Sequence, residues 1–291
     1  MTVAIGAVVV LLSVVAGYML HGGQVRVLVQ PSEFLIIGGA GIGSLFIGTP
    51  PAVLRHLIRQ LRSAQKPASV RADYLDLLTM LYGLLRHAQQ AGVMALEQHA
   101  EAPEQSPILS VHSHFLHRES AVAFLCDTVR VMVMGGVSTH DLEGLMEEDL
   151  EVHHHELLKP STTLAKVGDA LPGLGIVAAV LGVVITMGAI DGSPAEIGHK
   201  VAAALVGTFL GVFLAYGFVQ PLASSLEHRA GSETKYLECI KAGLLAAHKG
   251  LPPAIAVEFA RRVLPEEVRP SFAETERACR ETRNAAMAAA A

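Results

Sequence analysis

Few residues in this sequence have the type and spacing for chemistry. His153, His154 and His155 invite a metal reading, but consecutive positions fan out by about 100° around a helix. Three such imidazoles cannot converge on one ion, so they read as a solvated helix face. The cluster GGAGIG at 38–43 lacks the lysine and hydroxyl of a phosphate loop, and no strand precedes it. Gly39 and Gly43, one helical turn apart, read instead as a packing stripe that lets two helices approach. Cys126, Cys239 and Cys279 are scattered, with neither metal spacing nor a disulfide framework. No nucleophile–base pair or metal constellation emerges, so the sequence supports no enzyme and calls for no metal or organic cofactor. What remains is Thr208 in VGTFLG and two prolines, Pro172 and Pro221, all in or beside long apolar stretches.

Those stretches must position them. From 167 to 222, two apolar spans of about twenty residues flank a polar hairpin, DGSPAEIGHK, and each is long enough to cross a hydrocarbon core about 30 Å thick. Asp169, Asp191, Glu196, His199 and Lys200 lie at their edges. Small residues recur within both, as in helices that pack closely in lipid. Two further spans are read at 3–20 and 34–48, joined by a loop at 21–33. None of the four is expected to hold a carboxylate. If the chain conducts ions, another polypeptide must supply the group that carries them, because a bare charge at midplane costs several kcal/mol.

Composition agrees. Of 291 residues 51% are hydrophobic and 17% charged, below the usual quarter of a soluble domain. A net charge of -5 without a basic block gives no handle for nucleic acid. Of 22 lysines and arginines, Arg26 alone falls in the first hairpin loop and Lys200 alone in the second. The positive-inside rule therefore puts both large polar segments and both termini in the cytoplasm. With no tryptophan present, Tyr18 and Tyr216 are left as interfacial anchors, helped by basic residues.

The expected fold class is an all-α membrane protein, four transmembrane helices in two hairpins plus a helical cytoplasmic domain. The first hairpin is 1–50 (spans about 3–20 and 34–48), and a helical domain is 51–168. The second hairpin is 169–221 (spans about 170–190 and 200–220), and a helical tail is 222–291. Residues 52–65 set Arg55, Arg59 and Arg62 opposite Leu54, Leu57, Ile58 and Leu61. That pattern fits either a membrane lipid surface of anionic headgroups or an ordinary solvated stripe. Tyr74, Leu77, Leu78, Leu81, Leu84 and Leu85 mark a core-facing helix over 71–90, broken by Gly92. A long helix is expected over 108–134, closed by Gly135 and Gly136. Ser138 with Asp141 opens an acidic helix running toward Lys159. Taken alone, Pro172 and Pro221 are either kinks or helix ends.

The motifs VGDALPGLGIVAAVLGVV from Val167, VGTFLGVFLAYGFVQPL from Val206 and PPAIAVEFARR from Pro252, supported by GGAGIGSLFIG, resemble the MotA family of flagellar stator proteins over nearly the whole chain. The resemblance implies a proton channel subunit of the bacterial inner membrane. It implies a pentamer around a MotB-type single-span peptidoglycan-binding protein, which brings the ion-carrying aspartate. Torque would act on the rotor switch protein FliG. Family roles fall on Pro172 and Pro221 for coupling, and on Thr208 and Tyr216 for the ion path. Ala179 stands where sodium-driven relatives have a threonine, and its lack of an oxygen ligand implies protons as the coupling ion. The family's rotor-contact glutamate matches Glu97. Its arginine position is Gln89 here, and a neutral amide cannot make a charge-assisted pair. Arg86 or His87, a turn or less away, are the substitutes at hand. The rival reading is an ExbB/TolQ-like energiser of an envelope process, which has three spans and its insertion after the first.

Overall fold

The structure is a computed structural model that describes residues 2–63, 70–188 and 193–289. Asp191 and Gln65 lie outside the described residues. Every regular element among the described residues is a helix. The α-helices in chain order are α1 (Thr2–Leu20), α2 (Val25–Leu28), α3 (Pro31–Gly48), α4 (Pro51–Ser63), α5 (Arg71–Ala91) and α6 (Glu97–Glu101), with short 3-10 turns at Val93–Leu96 and Pro103–Gln105. There follow α7 (Ser113–Leu116), α8 (Glu119–Met134), α9 (Thr139–Met187) and α10 (Pro194–Leu214). The chain ends with α11 (Gln220–His248), α12 (Pro253–Val263) and α13 (Phe272–Ala289). Four stretches are long and apolar enough to cross a membrane: Val3–Leu20, Val25–Gly48, and windows within Thr139–Met187 and Pro194–His248. The fold is that of an all-α membrane protein with four spanning helices.

The chain divides into two compact units, Met1–Pro67 with Glu156–Arg229, and Ala68–His155 with Ala230–Ala291. In the first, Ile37 of α3 packs with Leu171 and Ala178 of α9 and with Val206 and Leu210 of α10. Beside them Leu57 of α4 meets Leu164 of α9 and Ala223 and Leu226 of α11. Much of the remaining apolar surface, including Leu12, Phe46, Val184 and Leu205, is exposed within the chain. That is expected where lipid or neighbouring subunits are the solvent.

The second unit has a conventional core. All six apolar residues expected to face inward on α5, from Tyr74 to Leu85, are buried. Leu125 and Val129 of α8, Leu142 and Met146 of α9, Ile240 and Leu244 of α11 and Val257 of α12 close around them. Gly92 ends α5 at φ +89°, and Gly135 and Gly136 end α8 at +70° and +79°, where a side chain would be strained. Ser138 caps α9, its Oγ accepting from the Asp141 amide at 3.1 Å.

Two expectations need correction and two readings become definite. The helix expected over 108–134 is broken: the Ser106 hydroxyl accepts from the amides of Leu109 (3.0 Å) and Ile108 (3.3 Å), folding that stretch into a turn. Helical structure resumes only at α7 and α8. The acidic helix runs on past Lys159. α9 runs 49 residues with Pro160 and Pro172 inside it. Of the two readings left open for Pro221, the structure takes the one within a helix: α10 passes through a π-helical turn, Ala215–Val219, directly into α11. Proline cannot donate to the carbonyl four residues back and crowds it, and a wider turn just before it relieves both problems. Finally, 21–33 is not simply a loop. It contains α2, and α3 starts at Pro31, so Ser32 and Glu33 form the first turn of a spanning helix. Proline's fixed φ suits that first position, and an acidic residue suits the positive end of the helix.

Candidate functional site

The site is built on a seam of small residues between α9 and α10. A Cβ placed on Gly211 would lie 2.6 Å from the Leu171 carbonyl oxygen and 2.8 Å from the Gly175 Cα. One placed on Gly182 would lie 2.8 Å from the Ala204 Cβ. Between these points Gly207 faces Ala178, whose methyl is 3.2 Å from where a Gly207 Cβ would be. Residues 171, 175, 178 and 182 step along one face of α9 in threes and fours, which brings the two backbones into direct contact. Thr208 and Ala179, each half-buried, adjoin this seam at Gly207 and Ala178. Thr186, further along, donates to the Gly182 carbonyl at 2.8 Å, spending its hydroxyl on its own helix.

Pro172 lies on α9 one residue beyond Leu171, at the end of the seam. The carbonyl it leaves without a helical donor belongs to Gly168. Gly168 lies under the side chain of Gln220, which would be 3.0 Å from a Cβ there. Gln220 Nε2 donates to Asp169 Oδ1 at 2.6 Å and to the Ala165 carbonyl at 3.2 Å. The two prolines are thus joined through a clamp: Pro221 follows Gln220, and Pro172 follows the turn that Gln220 holds. Tyr216, in the π-helical turn, is 66% exposed within this chain and makes no contribution to the seam.

Two expectations change here. The packing glycine of α3 is Gly41, where a Cβ would lie 3.3 Å from Leu171 Cδ2. Gly39 and Gly43 have nothing within 4 Å inside this chain. The spans also hold a carboxylate after all. Glu33 is 6% exposed, its Oε2 has no hydrogen-bond partner, and it would be 2.7 Å from a Cβ on Gly207. Reading the span from the first apolar residue, Phe34, missed it. Pro31 at a helix start, two residues before an acid, was the available signal.

The residues assigned to rotor contact lie in the second unit. Gln89, near the end of α5, and Glu97, opening α6, are both exposed. Arg86 Nη1 donates to the Arg283 carbonyl at 3.3 Å. His87 packs edge-on against His99 with ring centroids 5.0 Å apart. His99 is 2% exposed, its Nδ1 2.7 Å from Ser106 Oγ. Because Ser106 Oγ already accepts two amides, its single proton goes to His99 Nδ1, which assigns the neutral imidazole proton to Nε2. Burial first, then the neighbouring His87, lowers the His99 pKa. The three consecutive histidines diverge: His154 Nδ1 is 2.8 Å from Thr234 Oγ1, while His155 turns toward Glu151.

Comparison with known proteins decides the family. The Motility protein A N-terminal family matches residues 4–92, and the MotA/TolQ/ExbB proton channel family matches residues 117–239. Motility protein A of Escherichia coli is 40% identical over 98% of this chain and 97% of its own length. The chain belongs to the motility protein A family. Chemotaxis protein LafT of Vibrio parahaemolyticus is 41% identical over 94% of this chain and 96% of its own. The fold matches the solved structure of Campylobacter jejuni MotAB with a TM-score of 0.76, at 20% identity, over 93% of this chain and 98% of that one. It matches the Bacillus subtilis flagellar MotAB stator complex with a TM-score of 0.73, at 24% identity, over 91% and 96%. Motility protein A relatives matched along nearly the full length favour a flagellar stator over an ExbB/TolQ-like energiser.

Proposed function

We propose that this chain is the ion-conducting stator subunit of a bacterial flagellar motor, turning proton flow into torque on the rotor. The observation that carries the reading is the α9–α10 seam, with Pro172 at one end and Thr208 beside it, in a chain that matches Motility protein A over nearly its whole length. Such a seam is rigid where the backbones touch and deformable at the prolines, as a path that must move when an ion binds requires.

The subunit works as a homo-oligomer, a pentamer in this reading, around a MotB-type single-span partner that holds to peptidoglycan and brings the ion-carrying carboxylate. It lies in the inner membrane with both termini in the cytoplasm, an orientation supported by Arg26 and Lys200 being the lone basic residues of the two short loops. Ala179 presents a methyl beside the seam where a sodium path would need an oxygen ligand, which supports protons as the coupling ion. In the cytoplasm, Glu97 and Gln89 are the exposed residues offered to FliG. Glu97 supplies charge, and Gln89 only a neutral amide.

Proteoliposomes test the conducting role. The chain reconstituted with its MotB-type partner is expected to pass protons under an imposed gradient, and the chain alone to hold the gradient. Equal, brisk proton flux through the chain alone would overturn the shared-path reading in favour of a self-contained channel.

A further inference from the structure

Glu33 has no part in the roles above. It is more than nine-tenths buried, and its Oε2 has no hydrogen-bond partner among the described residues. The site it occupies is made for it. A Cβ on Gly207 would lie 2.7 Å from Oε2, so any other residue there would displace the carboxyl. Ala178 and the Ala179 amide nitrogen close the same point from α9, each 3.2 Å from that position. The carboxyl therefore ends where α3, α9 and α10 meet, beside the two residues, Ala179 and Thr208, that stand for the ion path.

Its depth matters as much as its burial. Gly207 lies about 10 Å along α10 from Lys200, the last residue of the polar hairpin, and Ala178 about 14 Å before Met187, the last residue of α9, at 1.5 Å per residue. Although Glu33 is in the first turn of α3, the point it touches is about a third of the way into a hydrocarbon layer about 30 Å thick. α2 makes this possible: Val27 and Leu28 pack with Ile37, Leu171 and Leu210, seating the turn of the first hairpin beside the middle of α10.

None of the charged and titratable groups on the packed elements pairs with Glu33 among the described residues. Arg26 is on α2. Glu196, His199 and Lys200 are near the start of α10, where Glu196 and Lys200 pair at 3.1 Å. Asp169 of α9 is held by Gln220. Each is at least seven residues along the chain from the residue in contact. A carboxyl so placed, with no cation to pair with, is stable there when protonated and costly when bare.

We infer that Glu33 is a proton-binding station of the ion path, taking a proton from water on the side of the two short hairpin loops and handing it to the carboxylate of the single-span partner. This rests on the stator reading above. The step is a plain transfer. The Glu33 carboxylate gains a proton to become the acid, then loses it to the partner's carboxylate and is restored, with no change in oxidation state. Gly207 sets the distance, and the lack of a competing hydrogen bond leaves Oε2 free to exchange.

The full chain with its partner, expressed in a bacterium lacking its own stator, provides the test. Glu33→Gln keeps shape and polarity but cannot cycle a proton. It is expected to reach wild-type levels in the membrane, with swimming speed reduced by about tenfold or more. Glu33→Asp should recover part of the speed, with an altered dependence on external pH. Wild-type swimming by Glu33→Gln at every external pH would overturn the inference. A wild-type chain that fails to move the host would instead sink the stator reading itself. Should the variants be lost from the membrane, the wild-type complex still answers. Dicyclohexylcarbodiimide attacks protonated carboxyls in apolar surroundings, so peptide mapping should find Glu33 modified faster as external pH falls. No adduct at any pH would overturn the proposal.

Discussion

Gly175 and Gly211 face each other so closely that a methyl group on Gly211 would come within 2.8 Å of the Gly175 Cα. No side chain fits between α9 and α10 there. Gly211→Ala is therefore expected to force the helices apart, an overpacking cost of about 1–3 kcal/mol, and to lower the Tm of the purified complex. Gly173→Ala, two residues from Gly175 with nothing within 4 Å of the added methyl, should leave Tm unchanged or raise it. Equal melting of both variants would show that the contact has no structural weight.

Pro172 stands at the end of this seam, and its missing N–H leaves a bendable point beside the Gln220–Asp169 clamp. Pro172→Leu restores that donor and stiffens α9. Motility should be abolished while membrane level and assembly persist. A normally motile variant ends the coupling role.

Pro221 imposes the π-helical turn of Ala215–Val219. With Pro221→Ala the Gly217 carbonyl regains a donor, and the turn can tighten to an α-helix. That would rotate α11 by about 100° relative to α10 and carry Gln220 off Asp169. Swimming speed should fall several-fold. Spin labels on α10 and α11 should report a changed distance, and an unchanged distance with unchanged speed would contradict this account of the turn.

Charge on the exposed end of α5 and start of α6 gives a separate prediction. Glu97→Lys should reduce motility, with rescue by a reversed charge on the rotor. Gln89→Arg should improve it, because a guanidinium can form the charge-assisted pair that an amide cannot. Arg86 and His87 are engaged with Arg283 and His99, so Arg86→Ala should cost less than Glu97→Lys. The opposite ranking in a swimming assay would move the contact to Arg86.

The buried His99 predicts an acid sensitivity of the second unit. Its pKa is lowered in the folded protein, so below the ordinary histidine value of 6.5 the unfolded chain binds a proton that the folded one refuses. The stability this contributes is complete above that pH and falls away as pH drops below it. His99→Gln should flatten the dependence of Tm on pH between 7 and 5. A wild-type Tm that is flat over that range would contradict it.

Local chemistry made much of this legible in the sequence. Residues 74 to 85 showed the buried face of α5 because a helix has one repeat and one core to face. Gly92, Gly135, Gly136 and Ser138 ended or opened helices as their backbone freedom and capping oxygen require. The features missed depend on distant partners. Nothing in GGAGIGSLFIG says that Gly41, rather than Gly39 or Gly43, meets Leu171, since that is set by where α9 lies. The turn at 106–112 hinges on one hydroxyl held by His99. Pro172 and Pro221 read equally as kinks or as helix ends, and only the packing around them shows that the helices run on past them. Glu33 was hidden because its burial comes from α10, more than 150 residues away.

The most direct test of the account separates the two candidate ions. The chain and its MotB-type partner, expressed in a bacterium without its own stator, should restore swimming whose speed follows the proton-motive force and ignores external sodium. Speed that follows sodium at constant proton-motive force would contradict the account.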